Sequence, residues 1–151
     1  MKPITVDDIK ELREKTGAGI ADCREALEAS KGSVVKAAEY LKKKGIEKAE
    51  KKSERETGQG KVFAYIHATG KIGVVLSLLC ETDFVARTED FTNLGKEVCL
   101  QIASMKPKNV AELLSQEYIR DPQTTIGDMI KEVIGKLGEN IKVGEFSRIQ
   151  I

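Results

Sequence analysis

Acid–base or nucleophilic chemistry in this chain would depend on very few side chains. His67 is the sole histidine, so a Ser–His–Asp or Cys–His arrangement could be built only around it. The alternating pattern places His67 in the middle of a β-strand, where a structural role at or near the surface is the common one. A small hydrolase that combines His67 with a carboxylate is therefore a minor alternative.

The cysteines do not point to a disulfide or a zinc site. Cys23, Cys80 and Cys99 are odd in number and contain no CxxC pair. We expect them to be buried free thiols in a reducing compartment.

Phosphate-binding glycine motifs are also missing. No GxxxxGK[ST] sequence occurs. Gly17-Ala18-Gly19 joins two predicted helices and follows no strand, so it is typical of a turn and not of a dinucleotide site. We predict no cofactor and no metal.

Two acidic residues, Glu81 and Asp83, lie close together after a predicted strand. Acid–base catalysis would need a pocket and facing carboxylates, and the pattern indicates neither. Asp83-Phe84 is of more interest, because an acid and an aromatic residue meet at a strand-to-helix corner, before the apolar stripe that begins with Phe91. A phenylalanine there either folds back onto its own core or protrudes as an interface anchor. The residues alone leave both possibilities open.

The first 55 residues are predicted to form a three-helix bundle followed by a charged linker helix. Thr5 caps the first helix, residues 16–19 end it, and Lys31-Gly32-Ser33 separates the second from the third. Gly45 is expected to interrupt the third helix, with helical character resuming over residues 46–55.

The linker is rich in charge. Residues 42–56 include seven basic and four acidic side chains, a net charge of about +3. We interpret this segment as a solvated linker, with nucleic-acid contact as the minor alternative.

Residues 56–151 are predicted to form an α/β core. A boundary signal, Thr57-Gly58-Gln59-Gly60, precedes alternating residues 62–67. Ile72–Cys80 is apolar on nearly both faces, which favours a strand that is central or covered on both sides and that pairs with the preceding strand as a hairpin. Helices are expected near residues 91–105, 110–115 and after Thr125, with a loop at residues 120–122. Residues 141–151 should form the third antiparallel strand, with an irregularity near Gly144. The predicted fold class is α+β.

Composition excludes several partner classes. The formal net charge is +1, aromatic residues are 5% and tryptophan is absent, which opposes a base-stacking nucleic-acid platform. No apolar run approaches the roughly 20 residues of a membrane helix, and no secretory leader is recognisable. We expect a cytoplasmic protein that contacts neither nucleic acid nor membrane.

Two segments resemble the elongation factor Ts family. Residues 12–23 (LREKTGAGIADC), followed by Ala26-Leu27, are similar to the family's opening motif, and residues 80–87 (CETDFVAR) are similar to its second hallmark. The two match in order and separation. The resemblance implies an N-terminal domain similar to ubiquitin-associated domains and an α/β core. The chain resembles the short members of the family, which have a single core and pair through that core as homodimers.

The resemblance implies a guanine-nucleotide exchange factor and not an enzyme that makes or breaks bonds. Its partner would be elongation factor Tu, from which it promotes release of GDP. The residues implied to act near the GTPase magnesium site are Thr82, Asp83, Phe84 and Val85. Those implied to touch the nucleotide domain are Leu12, Arg13, Gly17, Ala18, Gly19, Ile20 and Ala21. The family often has a larger apolar residue where Ala21 stands, so that contact is expected to be weaker here.

The N-terminal bundle alone would also suit a module that binds a ubiquitin-like partner. That alternative explains neither the core nor the Asp83-Phe84 corner.

Overall fold

The computed structural model describes residues 2–151, which form an N-terminal helical bundle and a helix-packed sheet. This confirms the predicted α+β class. The helices are α1 Val6–Thr16, α2 Ile20–Ala29, α3 Val34–Glu50, α4 Asp83–Ala86, α5 Glu89–Met105, α6 Val110–Ser115 and α7 Ile126–Leu137; the strands are β1 Gln59–Ile66, β2 Ile72–Cys80, β3 Glu117–Tyr118, β4 Asp121–Thr125 and β5 Ile141–Gln150.

The bundle consists of α1, α2 and the first half of α3. Thr5 and Asp8 form a capping box at the start of α1, and Gly17 ends that helix in the left-handed conformation, with φ 69°. The interior of the bundle is made by fully buried small and aliphatic side chains: Leu12, Cys23, Ala26, Leu27 and Ala37. The three-helix prediction is confirmed, and the likeness to ubiquitin-associated domains stays a prediction.

The sheet has the antiparallel order β1-β2-β5, so β2 is central as predicted. The pairing of β2 with β5 changes register between the pairs Leu76–Phe146 and Leu78–Val143. The extra residue is on β5, which confirms the irregularity expected near Gly144. Gly60 permits the hairpin pairing, because a Cβ there would lie 2.2 Å from the Leu78 carbonyl oxygen.

Alternate residues of the sheet face the helices. The inward residues of β2 are buried in one cluster with residues of α5 and α7, and they are Val74, Leu76, Leu78 and Cys80. The opposite face carries exposed apolar side chains, among them Val62, Ile66 and Val75. The sheet is therefore covered on one side only.

His67 does not lie in mid-strand, which corrects the sequence-based placement. β1 ends at Ile66, and His67 begins the turn, its N–H donating to Ile72 O at 2.9 Å and its carbonyl accepting from Gly70 N at 2.8 Å. The sequence pattern could not show where β1 ends, because His67 continues the two-residue alternation of Phe63 and Tyr65 by one position into the turn.

Helix α3 runs through Gly45 without a break, which corrects the predicted interruption. Helical structure ends at Glu50 and is followed by turns, not by a helix to residue 55. Gly45 lies where α7 crosses α3, and its Cα is opposite Gly135. The glycine therefore allows close helix packing and does not end the helix.

This crossing gives a matched pair of substitutions. A Cβ added at Gly135 would lie 2.5 Å from Gly45 Cα, whereas one added at Gly45 would lie 3.9 Å from Gly135 Cα. Gly135→Ala should lower the free energy of unfolding by about 1–3 kcal/mol through overpacking against backbone. Gly45→Ala should be neutral or stabilising by up to about 1 kcal/mol, since alanine favours helix. Chemical denaturation of both variants measures this, and equal effects at the two positions would contradict the crossing geometry.

The segment predicted as a loop at residues 120–122 is part of a small hairpin, β3–β4. The fully buried Gln101 holds it: Gln101 Nε2 donates to Glu117 O at 3.0 Å, and Ile119 N donates to Gln101 Oε1 at 3.1 Å. A two-residue strand has no hydrophobic period, so the sequence pattern could not indicate it.

Two clusters of buried side chains underlie the fold, one in the bundle and one between the sheet and its helices. Helix α3 contributes to both, with Ala37 in the bundle cluster and Ala49 in the sheet cluster. The division into domains 1–55 and 56–151 stays a prediction. Within residues 2–151, none of the helices has the length and apolar character required to span a bilayer.

Candidate partner-binding site

The corner between β2 and α5, residues 82–85, presents an exposed aromatic ring. Thr82 caps the single-turn helix α4, its hydroxyl accepting from Val85 N at 3.4 Å. Val85 and Ala86 are turned into the core, and because successive helical residues are about 100° apart, Phe84 must point outward. Phe84 is 83% exposed, so the structure supports the protruding alternative and not the core one.

Side chains from elsewhere in the chain hold this corner. Thr82 N donates to Glu139 Oε1 at 2.9 Å, and Thr82 Oγ1 donates to Glu139 Oε2 at 2.6 Å. Asp83 pairs with Arg87 on the exposed side of α4. Glu81 accepts from Asn140 N at 2.9 Å, and its Oε1 lies 3.6 Å from Arg55 Nη1. The two carboxylates of the sequence motif are therefore paired with different partners and do not face each other across a pocket.

The second predicted segment contains the glycine turn, residues 17–19, which links α1 to α2, and the first two residues of α2, Ile20 and Ala21. Gly17 is left-handed, and Gly19 caps α2 without a side-chain hydrogen bond. Arg13 Nε donates to Ala18 O at 3.3 Å and stiffens the turn. Ile20 is 60% exposed and Ala21 is also exposed.

Two predicted contact residues are not on the surface. Leu12 is fully buried in the bundle, and Val85 is buried beneath the corner. Both can support their segments, but neither offers a surface to a partner.

Helix α7 connects the elements that carry the two segments. Lys136 of α7 contacts the glycine turn, since a Cβ at Gly17 would lie 2.5 Å from Lys136 Cε. Lys136 Nζ also lies 3.1 Å from Asp90 Oδ1, in the first turn of α5 that follows the corner. One residue of α7 thus bridges the elements that carry the two segments.

A cleft of about 420 Å³ lies beside this bridge, between the glycine turn, α3 and α7. Its charged lining residues are of both signs, five basic and three acidic: Lys15, Lys42, Lys44, Lys48, Lys136, Asp22, Asp90 and Glu132. Burial raises the pKa of the Glu132 carboxyl, and the nearby Lys42 ammonium, 3.3 Å away, partly offsets this.

Four of the seven basic residues of the linker segment, Lys42, Lys44, Lys48 and Arg55, form ion pairs with acids. Lys44 lies 2.8 Å from Glu25 and 3.7 Å from Asp22, and Lys48 lies 3.8 Å from the same aspartate. The ammonium groups of both lysines are therefore turned toward α2.

His67 has one side-chain partner in the described chain, the Tyr65 hydroxyl at 3.0 Å from Nδ1. A tyrosine beside an exposed histidine supplies neither the nucleophile nor the orienting acid of a triad. Across residues 2–151, no three His, Cys, Asp or Glu side chains converge as metal ligands.

The three cysteines are free and buried, as predicted. Burial raises the pKa of Cys23 and of Cys80, and it raises that of Cys99 to about 11. Because the thiolate is the reactive form, we expect negligible reaction with Ellman's reagent at pH 8 in the native protein and full reaction of all three after unfolding. Rapid labelling of one thiol in the folded chain would contradict its burial.

Comparison with known proteins decides the family. The sequence model of the family described as Elongation factor TS matches residues 81–151, a segment that starts at the corner. Over 98% of this chain and 98% of the relative, the chain is 42% identical to elongation factor Ts of Leptospira biflexa. It is 40% identical to elongation factor Ts of Fervidobacterium nodosum over 98% of each chain, and 38% identical to that of Caldanaerobacter subterraneus over 97% and 96%.

The chain belongs to the elongation factor Ts family. Its role is therefore that of a translation elongation factor. The alignment with the Leptospira elongation factor Ts has 193 positions but covers 98% of 151 residues, about 148, so about 45 positions have no residue here. Since 98% of each chain is aligned, most of the missing positions are internal, and this is a compact member of the elongation factor Ts family.

Sequence reasoning missed the residues that hold the site. Glu139, Asn140 and Lys136 carry no motif that the sequence pattern distinguishes from an ordinary helix end. The only available signal was Gly138-Glu139-Asn140 as a turn after a strongly amphipathic helix.

Proposed function

We propose that this chain is a guanine-nucleotide exchange factor that binds elongation factor Tu in its GDP form and promotes release of GDP. The observation that carries the proposal is Phe84, an aromatic ring left 83% exposed on a corner held by hydrogen bonds. Membership of the elongation factor Ts family supports it. The protein would act in the cytoplasm, where translation elongation takes place.

The mechanism is differential binding. A GTPase holds GDP through backbone amides of its phosphate loop and through Mg²⁺ that contacts phosphate oxygens. Phe84 and Asp83 would insert between helices of the GTPase near that magnesium site and displace them by a small distance. Because the factor weakens GDP binding, GDP must weaken factor binding by the same free energy. No bond forms or breaks, so the chain needs no general acid or base.

The glycine turn provides the second contact. Ile20 is exposed beside a rigid turn, and Arg13 is fixed by its bond to the Ala18 carbonyl. Docking of these residues on the nucleotide domain would orient the factor so that the corner meets the magnesium site. Leu12 and Val85 would support the two segments from within.

We also propose that two copies pair through their cores. The uncovered sheet face carries apolar side chains on all three strands, Val62, Ala64 and Ile66 of β1, Val75 of β2 and Ile149 of β5. Exposed apolar faces of this kind mark protein contacts. A second copy would cover the face symmetrically and would supply the second core half that a single-core member lacks.

The test is release of fluorescent GDP from elongation factor Tu, with catalytic amounts of this chain titrated across its dimerisation range. Acceleration that rises with dimer formation supports both proposals. Acceleration already complete for the monomer keeps the exchange function and rejects the dimer requirement. Absence of acceleration at every concentration, with folded protein and a cognate partner, rejects the exchange function.

A further inference from the structure

The corner cannot hold its own shape. Helix α4 has four residues, and its cap depends on one hydrogen bond of 3.4 Å. A single isolated helical turn is unstable because nucleation fixes many dihedrals for one bond. The direction in which Phe84 points must therefore be set by contacts from outside residues 82–86.

Glu139 supplies the most direct of these contacts. Its two carboxylate oxygens accept from the backbone and the hydroxyl of the same residue, Thr82, at 2.9 and 2.6 Å. Hydrogen bonds to an ionised carboxylate are about twice as strong as neutral ones. With its proton directed to Glu139, the Thr82 hydroxyl has its lone pairs free to accept from Val85 N.

The contact is reciprocal. The Glu81 carboxylate accepts from Asn140 N at 2.9 Å, while the Glu139 carboxylate accepts from Thr82 N. These bonds lie directly beyond the last pair of the β2–β5 ladder, Cys80 with Ile141. Side chains thus continue the ladder where the backbone of both strands turns away.

The element that carries Glu139 is itself fixed. Helix α7 ends in the left-handed Gly138, and the buried Asn140 donates from Nδ2 to Ser53 O at 3.4 Å and to Arg55 O at 2.8 Å. Glu139 lies between these two restraints and is therefore a rigid support.

We propose that Glu139 is the positioning residue for the exchange reaction, the side chain that fixes the corner so that Phe84 is presented in one orientation. This inference rests on the proposed exchange function, but its structural part does not. Glu139 touches neither nucleotide nor partner and acts through Thr82.

The structural part is tested with a tryptophan reporter. The chain contains no tryptophan, so Phe84→Trp provides a single fluorophore at the exposed position. In the Phe84→Trp background, Glu139→Ala should lower the steady-state anisotropy of the indole at a temperature well below unfolding. Glu139→Gln should restore it, because the amide oxygen accepts from Thr82 N and the amide nitrogen donates to the hydroxyl. Unchanged anisotropy in Glu139→Ala overturns the proposal.

The functional part is tested with Phe84 in place. Glu139→Ala should lower the maximal rate of GDP release at saturating factor at least about tenfold, with a smaller change in the half-saturating concentration. Glu139→Gln should keep most of the rate. Glu39→Ala, at an exposed glutamate of α3, is the matched control and should change neither quantity. A maximal rate unaffected by Glu139→Ala overturns the positioning role.

Two further outcomes are distinguishable. If the unsubstituted chain does not accelerate GDP release, the exchange function fails, while the anisotropy comparison still decides whether Glu139 holds the corner. If Glu139→Ala does not fold, Glu139→Asp withdraws the carboxylate from Thr82 by one methylene and leaves the Thr82 cap of α4 in place. It should lower anisotropy and maximal rate in the same direction by a smaller factor, and no change in either overturns the proposal.

Discussion

Phe84→Ala is expected to reduce GDP release from elongation factor Tu by about 30- to 1,000-fold, which corresponds to about 2–4 kcal/mol for the loss of a central aromatic anchor. The ring is 83% exposed in the free chain, so it is available for burial in a partner. Stopped-flow measurement with fluorescent GDP at several factor concentrations gives the effect.

The stability of the same variant separates a contact role from a core role. Truncation of an exposed ring should change the free energy of unfolding by no more than about 0.5 kcal/mol. Phe91→Ala is the matched control, because Phe91 is fully buried and should cost about 3–5 kcal/mol. Asp83→Ala should affect exchange less than Phe84→Ala, since an exposed ion pair such as Asp83 with Arg87 contributes at most about 1 kcal/mol. Undiminished exchange by Phe84→Ala would contradict the proposed insertion of Phe84 between helices of the GTPase.

Val75→Glu is expected to convert the proposed homodimer into a monomer. Val75 is 51% exposed at the centre of the uncovered sheet face, opposite Ala64 on one side and Ser147 on the other. A symmetric interface meets the substitution twice. Burial of an unpaired carboxylate at about 2 kcal/mol per copy therefore weakens dimerisation about 1,000-fold. Sedimentation velocity over a range of concentrations measures the shift.

The control for this substitution uses another exposed valine. Val35 is 69% exposed on the bundle, far from the sheet in the fold, so Val35→Glu should leave the association state unchanged. A monomeric unsubstituted chain, or equal behaviour of the two variants, would show that the sheet face does not join two copies. If a second core is required for exchange, Val75→Glu should also lose activity that returns at high protein concentration.

Much of the fold could be predicted because short segments of the sequence determine the type and bounds of their own helix or strand. Ile72–Cys80 is apolar on nearly both faces, which predicts a strand that is central or covered on both sides. The structure gives the same bounds and the central position, and leaves one face of the strand uncovered. Thr125 and the apolar face that follows it define α7 in the same way. The motif at residues 80–87 located the corner, but sequence could not decide whether Phe84 points in or out. That depends on Val85 and Ala86 taking the core positions.

What could not be predicted depends on contacts between distant parts of the chain. Glycine disfavours helix, so the sequence suggests a break at Gly45. Only the close approach of Gly45 to Gly135 explains its place inside α3. Glu139 lies 57 positions from Thr82 and acts on a backbone N–H, a contact that leaves no periodic trace in the sequence. The β3–β4 hairpin is held by the buried side-chain amide of Gln101, and this contact also leaves no periodic pattern in the sequence.

The continuity of α3 has a consequence for binding. Seventeen residues without a break form a rod about 25 Å long, with one half in the bundle and the other against α7. If the proposed contacts are correct, the glycine turn and the corner are two binding segments on a stiff spacer, and binding of the first raises the effective concentration of the second. The conformational entropy of fixing the glycine turn and the corner relative to each other is lost when the chain folds and not when it binds the partner. A flexible insertion within α3 should therefore weaken the partner complex even though every contacting side chain is retained.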